Sequence, residues 1–229
     1  MNRSLHLLVL LSLALGGCQS GSVPVGHEDH TFGDGEPVDL GTDPWRTRRR
    51  MDIDQLDASI RQVTGGIGWE RWSTPSDRDP YVAERYFETF GDTLGVPDYI
   101  NSASEDTTVS LLFVKFLDDA ARDVCRRTAN REAGDGRVYD GDPQGIFDPV
   151  DVTTVDNSPT QISEALASMI LRFHGRAVAP DDPQLDPWRD AYGRLETAVL
   201  AVEEGDPEPR RIWEGLCVAM ITHPDFYTY

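Results

Sequence analysis

Three cysteines carry the most specific chemistry in this chain of 229 residues. Cys18 directly follows a short apolar segment near the amino terminus, whereas Cys125 and Cys217 lie within helical patterns much further along. A thiol can be acylated, can ligate a metal ion or can form a disulfide, and the outcome depends on the compartment and on the neighbouring residues. The segments around each cysteine therefore indicate which chemistry applies.

The amino terminus has the features of a secretory leader. Arg3 supplies the single charge before an apolar run of 11 residues from Leu5 to Leu15, which His6 and Ser12 interrupt. At about 1.5 Å per residue the run covers roughly 16 Å, about half of the hydrocarbon core of a membrane. The segment therefore predicts a signal peptide and not a membrane-spanning helix.

The residues Leu15-Gly16-Gly17-Cys18 resemble the lipobox of bacterial lipoproteins. This resemblance implies that residues 1–17 are removed as a lipoprotein signal peptide and that Cys18 becomes the lipidated first residue, anchored stably by its acyl chains. In that family an Asp after the cysteine favours the inner membrane, so Gln19 favours the outer membrane, with the protein facing the periplasm or the surface. The alternative is an ordinary secretory peptide with a chance cysteine.

Lipidation of Cys18 would leave Cys125 and Cys217 as an even pair in an oxidising compartment, which predicts a disulfide. Each of the two cysteines falls on the apolar face of its helix. A pair of buried thiols that pack as small apolar side chains is therefore the alternative.

Oxygen-bearing side chains recur between residues 140 and 151 at the spacing of an EF-hand calcium loop. The candidate ligands are Asp140, Asp142, Gln144, Asp148 and Asp151. Asp stands where an EF-hand has its bidentate Glu, two prolines interrupt the loop, and no helix leads into it. We therefore expect a weak calcium site, in the millimolar range of extracellular modules, or a solvated acidic turn.

Catalytic motifs for nucleophilic, zinc-dependent, haem-attaching or nucleotide-binding chemistry are absent from the sequence. The body of the chain contains two histidines, His174 before Gly175 and His223 before Pro224. Imidazoles at such helix ends commonly bond to backbone carbonyls, so we expect structural roles for both. A site near either histidine is the alternative. Nearer the amino terminus, His27-Glu28-Asp29-His30 either offers a loose set of transition-metal ligands or forms part of a solvated linker that binds no metal.

The charge of the chain limits its partners. Acidic residues number 40 against 21 basic ones, and the formal net charge is −19. Nucleic-acid binding depends on clustered Lys and Arg that displace counterions, so we expect no nucleic-acid partner. The arginines between Arg46 and Arg50 form the one basic cluster, for which we expect ion pairs with the acidic surface, or contact with anionic headgroups or another subunit.

Three segments position these residues. Residues 18–45 are acidic, rich in Gly and Pro and poor in apolar side chains, which predicts a flexible linker anchored at Cys18. Residues 46–229 form the third segment, in which apolar residues recur at helical spacing. Helices are predicted over Met51–Val63, Asp106–Thr128, Ser158–Gly175, Asp186–Gly205 and Ile212–His223, with a shorter one near Tyr81–Thr93.

Sustained alternation of apolar and polar residues is lacking, and Val150–Val155 is the one candidate strand. We therefore predict an all-α fold, a single compact bundle of about five to six helices after a disordered acidic tether.

Two segments of the body resemble all-helical domains of unknown function that accompany c-type cytochrome domains in secreted bacterial proteins. They are Arg49-Arg50-Met51 with the following helix, and the carboxyl-terminal stretch from Cys217 to Phe226. The resemblance implies a helical envelope module. We expect a non-catalytic, outer-membrane-anchored interaction or accessory module that contacts another envelope protein, with no resident cofactor beyond weak calcium. The alternative is an envelope enzyme or a redox accessory protein with a site near His174 or His223.

Overall fold

The computed structural model describes residues 49–72, 83–96, 107–135, 145–201 and 208–229. These residues contain seven α-helices and one short β-hairpin. The prediction of an all-α fold is confirmed, and Arg46–Tyr229 forms one compact unit. The helices are α1 (Ile53–Val63), α2 (Tyr86–Thr89), α3 (Leu111–Glu132), α4 (Pro159–His174), α5 (Asp186–Leu200), α6 (Arg210–Thr222) and α7 (Pro224–Tyr227), and the strands are β1 (Glu70–Trp72) and β2 (Ala83–Arg85).

The starts of α1 and α4 are fixed by local side-chain chemistry. The Asp52 side chain accepts a hydrogen bond from the amide of Gln55, and the side-chain oxygen of Gln55 accepts one from the amide of Asp52. Ser158 and Gln161 form the same reciprocal pair, followed by Pro159 in the first helical turn. Both pairs satisfy amides that the helix itself leaves without partners. Helix α4 therefore begins where the sequence predicts, after Ser158, whereas α1 begins two residues after the predicted Met51.

The long helix α3 is the centre of the bundle. It begins after Ser110, whose hydroxyl accepts from the amide of Phe113, and it continues to Glu132. The predicted helix at Asp106–Thr128 is thus correct in type, but its start is five residues too early and its end four residues too early. One face of α3 is buried against α6, and Ala120, Ala121 and Val124 have no exposed surface.

The candidate strand at Val150–Val155 is wrong, because these residues form turns and bends. The actual strands, β1 and β2, pair antiparallel with Glu70 opposite Arg85 and Trp72 opposite Ala83. The predicted helix near Tyr81–Thr93 is reduced to α2, since strand β2 precedes it and a 3-10 turn at Gly91–Leu94 follows it. Likewise, α5 ends at Leu200 instead of continuing to Gly205.

Two arginines are among the largest fully buried side chains. Arg50 donates to the carbonyl oxygens of Leu94 at 2.6 Å, Met51 at 2.9 Å and Thr108 at 3.2 Å, and its guanidinium lies 4.6 Å from the centre of the Phe113 ring. Arg131 donates to Thr64 and to the adjacent glycine at the end of α1. Arg50 therefore organises carbonyl groups inside the fold, a role that the sequence analysis did not predict.

The first and last described residues lie side by side. Arg49 and Tyr229 exchange two backbone hydrogen bonds, Arg50 pairs with Thr228, and the amide of Met51 donates to the carbonyl of Tyr227 at 2.7 Å. Residues 49–51 therefore pair through their backbone with residues 227–229. Within the described ranges, no helix combines the length and the apolar character that crossing a membrane requires.

Candidate functional site

Cys125 and Cys217 are joined by a disulfide between α3 and α6. Neither cysteine has exposed surface, and their Cα atoms are 5.7 Å apart, the usual separation of a bridge. The predicted disulfide is therefore present, and the alternative of two separate buried thiols is wrong. Cys18, with the leader and the predicted linker, lies outside the described residues.

The candidate calcium loop is described in part. Asp140, Asp142 and Gln144 lie outside the described residues, whereas Asp148 and Asp151 line a cleft of about 420 Å³ beside the end of α3. The Glu132 carboxylate joins them there and accepts hydrogen bonds from the amides of Gly145 at 3.1 Å and Ile146 at 3.4 Å. The sequence pattern did not include Glu132, because it lies before the loop and not within it.

The carboxylate of Asp151 already has protein partners. It accepts from the hydroxyl of Thr153 at 2.6 Å and from the Thr153 amide at 2.8 Å. These two hydrogen bonds stabilise the charged form and lower the pKa of Asp151. The residue therefore closes a local turn, and it would have to share this oxygen with a cation.

The fold brings His174 and His223 together, although 48 other residues separate them in the sequence. Their ring centres are 5.0 Å apart. His174 ends α4, whereas His223 forms the junction between α6 and α7. Asp225 completes the group, with one carboxylate oxygen 3.8 Å from Nδ1 of His223. One ligand atom from each residue lies within 4.8 Å of the other two, and this is the one such group of three among the residues described.

Hydrogen bonds define the state of the His174 ring. Its Nε2 lies 3.2 Å from the carbonyl oxygen of Met220 in α6, and a carbonyl can only accept, so Nε2 carries the hydrogen. The other ring nitrogen, Nδ1, is buried and has no hydrogen-bond partner in the described part of the chain. Burial lowers the pKa of His174, against a raising effect from the Met220 carbonyl, and the nearby His223 lowers it further. The lowered pKa favours the neutral ring, in which Nδ1 carries a lone pair.

His223 has a different role from the one predicted. Its Nδ1 accepts a hydrogen bond from the amide of Asp225 at 3.2 Å and thereby caps the start of α7, whereas the sequence suggested bonds to helix-ending carbonyls. The prediction is confirmed for His174, although its carbonyl partner belongs to α6 and not to its own helix.

The surroundings of the two histidines are mixed in character. The Trp188 ring of α5 lies 5.7 Å from the His174 ring and 5.9 Å from the His223 ring, measured between ring centres. Arg176 approaches the carboxylate of Asp225 at 3.7 Å. The side chains of His223 and Asp225 retain 40% and 34% of their exposure, so solutes can reach the group from the solvent.

The comparisons with known proteins give no match. None of the family models, the curated proteins or the solved structures is similar to this chain. The function proposed below therefore depends on the residues of the chain and on their geometry.

Proposed function

We propose that the chain is a lipid-anchored protein of the bacterial cell envelope, and that its helical domain is a non-catalytic accessory module that binds another envelope protein. The observation that carries the proposal is the disulfide between Cys125 and Cys217. Disulfides form and persist in oxidising compartments, which include the periplasm and the cell surface. Two of the three cysteines are thereby accounted for, and Cys18 in the lipobox-like sequence is left for lipid attachment.

The lipid anchor is tested by replacing Cys18 with Ser. In the producing bacterium we expect the C18S chain to accumulate as an unprocessed precursor and to incorporate no labelled fatty acid, because the thiol is the acceptor of the lipid. C125A/C217A is the matched control, since it removes the other two thiols and should still be lipidated. Normal processing and unchanged membrane retention of C18S would contradict the anchor.

Exposed apolar side chains at the start of α3 support the proposed contact with a partner. Leu111 is 91% exposed there, and Val109, Leu112 and Val114 are each more than 40% exposed. Neighbouring apolar side chains that remain in contact with water support a role in binding another protein. An apolar contact of this kind also suits a chain whose net charge of −19 repels acidic surfaces.

Site-specific crosslinking in intact cells tests this surface. A photoreactive residue at Leu111 should give a discrete adduct with a second envelope protein, and the adduct should disappear when Leu112 and Val114 are replaced with Ser. The same photoreactive residue at Ala198, an exposed position on α5, is the matched control and should give none. Equal adducts from both positions would show that the start of α3 is not a specific surface.

The second candidate, an envelope enzyme or redox accessory protein, is favoured by one observation. The fold places the imidazole of His174 close to the imidazole of His223 and the carboxylate of Asp225, with one ligand atom of each within 4.8 Å of the others, although His174 is distant from the other two in the sequence. Groups of this composition occur in metal-dependent and acid-base sites. The two candidates are separated by the metal experiment described next, since a purely docking module requires no such group.

A further inference from the structure

The group of His174, His223 and Asp225 has the donor atoms of a transition-metal site. Two imidazole nitrogens and one carboxylate oxygen suit divalent ions such as Zn²⁺, Cu²⁺ or Ni²⁺, and they suit Ca²⁺ or Mg²⁺ poorly because those ions prefer an all-oxygen shell. The ligand atoms lie within 4.8 Å of one another. Ligands of one tetrahedral Zn²⁺ lie about 3.3 Å apart, so the side chains would have to move inward by roughly 1.5 Å at most.

His174 is already arranged as a ligand. Metal-binding histidines typically donate their second ring N–H to a backbone carbonyl or a carboxylate, which fixes the ring and selects the free nitrogen. In this fold Nε2 donates to the Met220 carbonyl, and Nδ1 is buried without a hydrogen-bond partner among the described residues. A buried polar atom without a partner is unfavourable, and a bound cation would satisfy it.

The backbone around the group also favours a cation. His174 lies in the last turn of α4, and His223 directly follows α6, so the negative ends of two helices meet here. Asp225 adds a carboxylate, which attracts Arg176 at 3.7 Å. A metal ion would share this carboxylate with Arg176 or displace the Arg176 guanidinium, whose side chain is 47% exposed.

We propose that His174, His223 and Asp225 bind a divalent transition-metal ion of the zinc type, with at least one coordination position left to water. Three protein ligands leave such an ion an open position, as in sites that bind substrates, whereas structural zinc sites close with four protein ligands. The partial exposure of His223 and Asp225 gives water a path to that position. This inference goes beyond the proposed accessory role and does not depend on lipid attachment at Cys18.

The binding experiment uses the purified full chain without a polyhistidine tag. ZnCl₂ is titrated by calorimetry, and the melting temperature is measured with and without the metal. The acidic linker also contains His27 and His30, so both are replaced with Gln in the parent protein and in every variant. We expect one bound Zn²⁺ per chain and a higher melting temperature, because a ligand of the folded state stabilises that state.

Three variants address the three ligands. H174Q and D225N should each weaken Zn²⁺ binding tenfold or more. Tenfold is the lower limit because the loss of a residue that only supports a metal ligand already weakens binding by about that factor. H223N is the most informative, because Asn still caps α7 with its side-chain oxygen but lacks the imidazole. R172Q removes a side chain of α4 that lies outside the group and is the matched control, which should bind Zn²⁺ as the parent does. Each variant must melt within a few degrees of the parent without metal.

A local signal confirms the position of the metal. Trp188 lies within 6 Å of both imidazole rings, so Cu²⁺ bound there should quench part of the tryptophan fluorescence, and W188F should lose that part while still binding the metal. Unchanged Zn²⁺ affinity in the H174Q/H223N double variant would overturn the proposal. Binding that disappears with His27 and His30 would also overturn it, because the metal would then reside on the linker.

Discussion

Breaking the bridge between Cys125 and Cys217 should cost the domain a large part of its stability. The bridge closes a loop with a sequence separation of 92 residues. In the chain-entropy model a loop of that length removes denatured-state entropy equivalent to between about 4 and 5 kcal/mol at 25 °C. Domains of this size have free energies of unfolding of roughly 5 to 15 kcal/mol, so we expect a loss of about one quarter or more of that free energy.

The loss should appear in both chemical and thermal unfolding. For a domain of this size, each kcal/mol corresponds to about 2 to 4 °C, which predicts a melting temperature lower by roughly 8 to 20 °C. The slope of the unfolding free energy against urea should become steeper, because the denatured chain without the bridge exposes more surface. C125A/C217A also removes two fully buried sulfur atoms, so its loss should be somewhat larger than that of the reduced protein.

Urea unfolding followed by circular dichroism measures both quantities. The C18S background is used throughout, so that no third thiol can exchange with the pair. The oxidised protein, the same protein reduced in urea and refolded with reductant, and C125A/C217A are compared. Alkylation after denaturation should label two cysteines only when reductant is added. Equal midpoints and equal slopes for the oxidised and reduced proteins would refute the reasoning.

Three further predictions concern the core, the acidic loop and alkaline pH. R50M should lower the free energy of unfolding by about 3 to 5 kcal/mol, because it leaves the carbonyls of Leu94, Met51 and Thr108 without this donor. R49M, at an exposed position, should change the free energy of unfolding by about 0.5 kcal/mol or less. Equal effects of the two substitutions would refute the role of Arg50. Calcium at 10 mM should raise the melting temperature by about 3 to 6 °C if its Kd is about 1 mM, and D140N/D142N should abolish the shift, whereas no shift in the parent would leave the loop a solvated turn. Burial, aided by the nearby Glu196, raises the pKa of Tyr192 to about 12. As the pH rises, the unfolded chain loses the Tyr192 proton first, near pH 10, so the free energy of unfolding should fall between about pH 10 and 12. Urea midpoints measured at about pH 9 and 11 should fall less for Y192F than for the parent, and equal falls would contradict the prediction.

Helix positions were predictable where the deciding chemistry is local. Ser158, Pro159 and Gln161 are adjacent or nearly so, and together they satisfy the first amides of α4 without help from the rest of the fold. The apolar face of α1 follows from its spacing in the same way. The β-hairpin was missed because each strand has three residues, too few to show alternation. The strand predicted at Val150–Val155 is absent because the Asp151 carboxylate accepts hydrogen bonds from Thr153, which favours a turn.

The candidate site depended on tertiary contacts that spacing does not reveal. His174 meets His223 because α4 and α6 end at the same place, and its ring is oriented by a carbonyl of α6. The sequence did suggest that each histidine would bond to backbone near a helix end. The step from two separate helix ends to one group of ligands required the packing of the helices. Arg50 shows the same limit, because its carbonyl partners come from three separate segments.

The pairing of residues 49–51 with residues 227–229 gives the domain a defined mechanical weakness. Tension applied between the two ends would load the backbone bonds one at a time, starting with those between Arg49 and Tyr229, so the ends would separate by unzipping at low force. The bridge between Cys125 and Cys217 would then stop the extension, because the chain between the two cysteines would not bear the tension. Without the bridge that part of the chain would lengthen by roughly 300 Å, at about 3.4 Å per residue. A domain pulled from its two ends would thus yield early under load and remain covalently closed around its core.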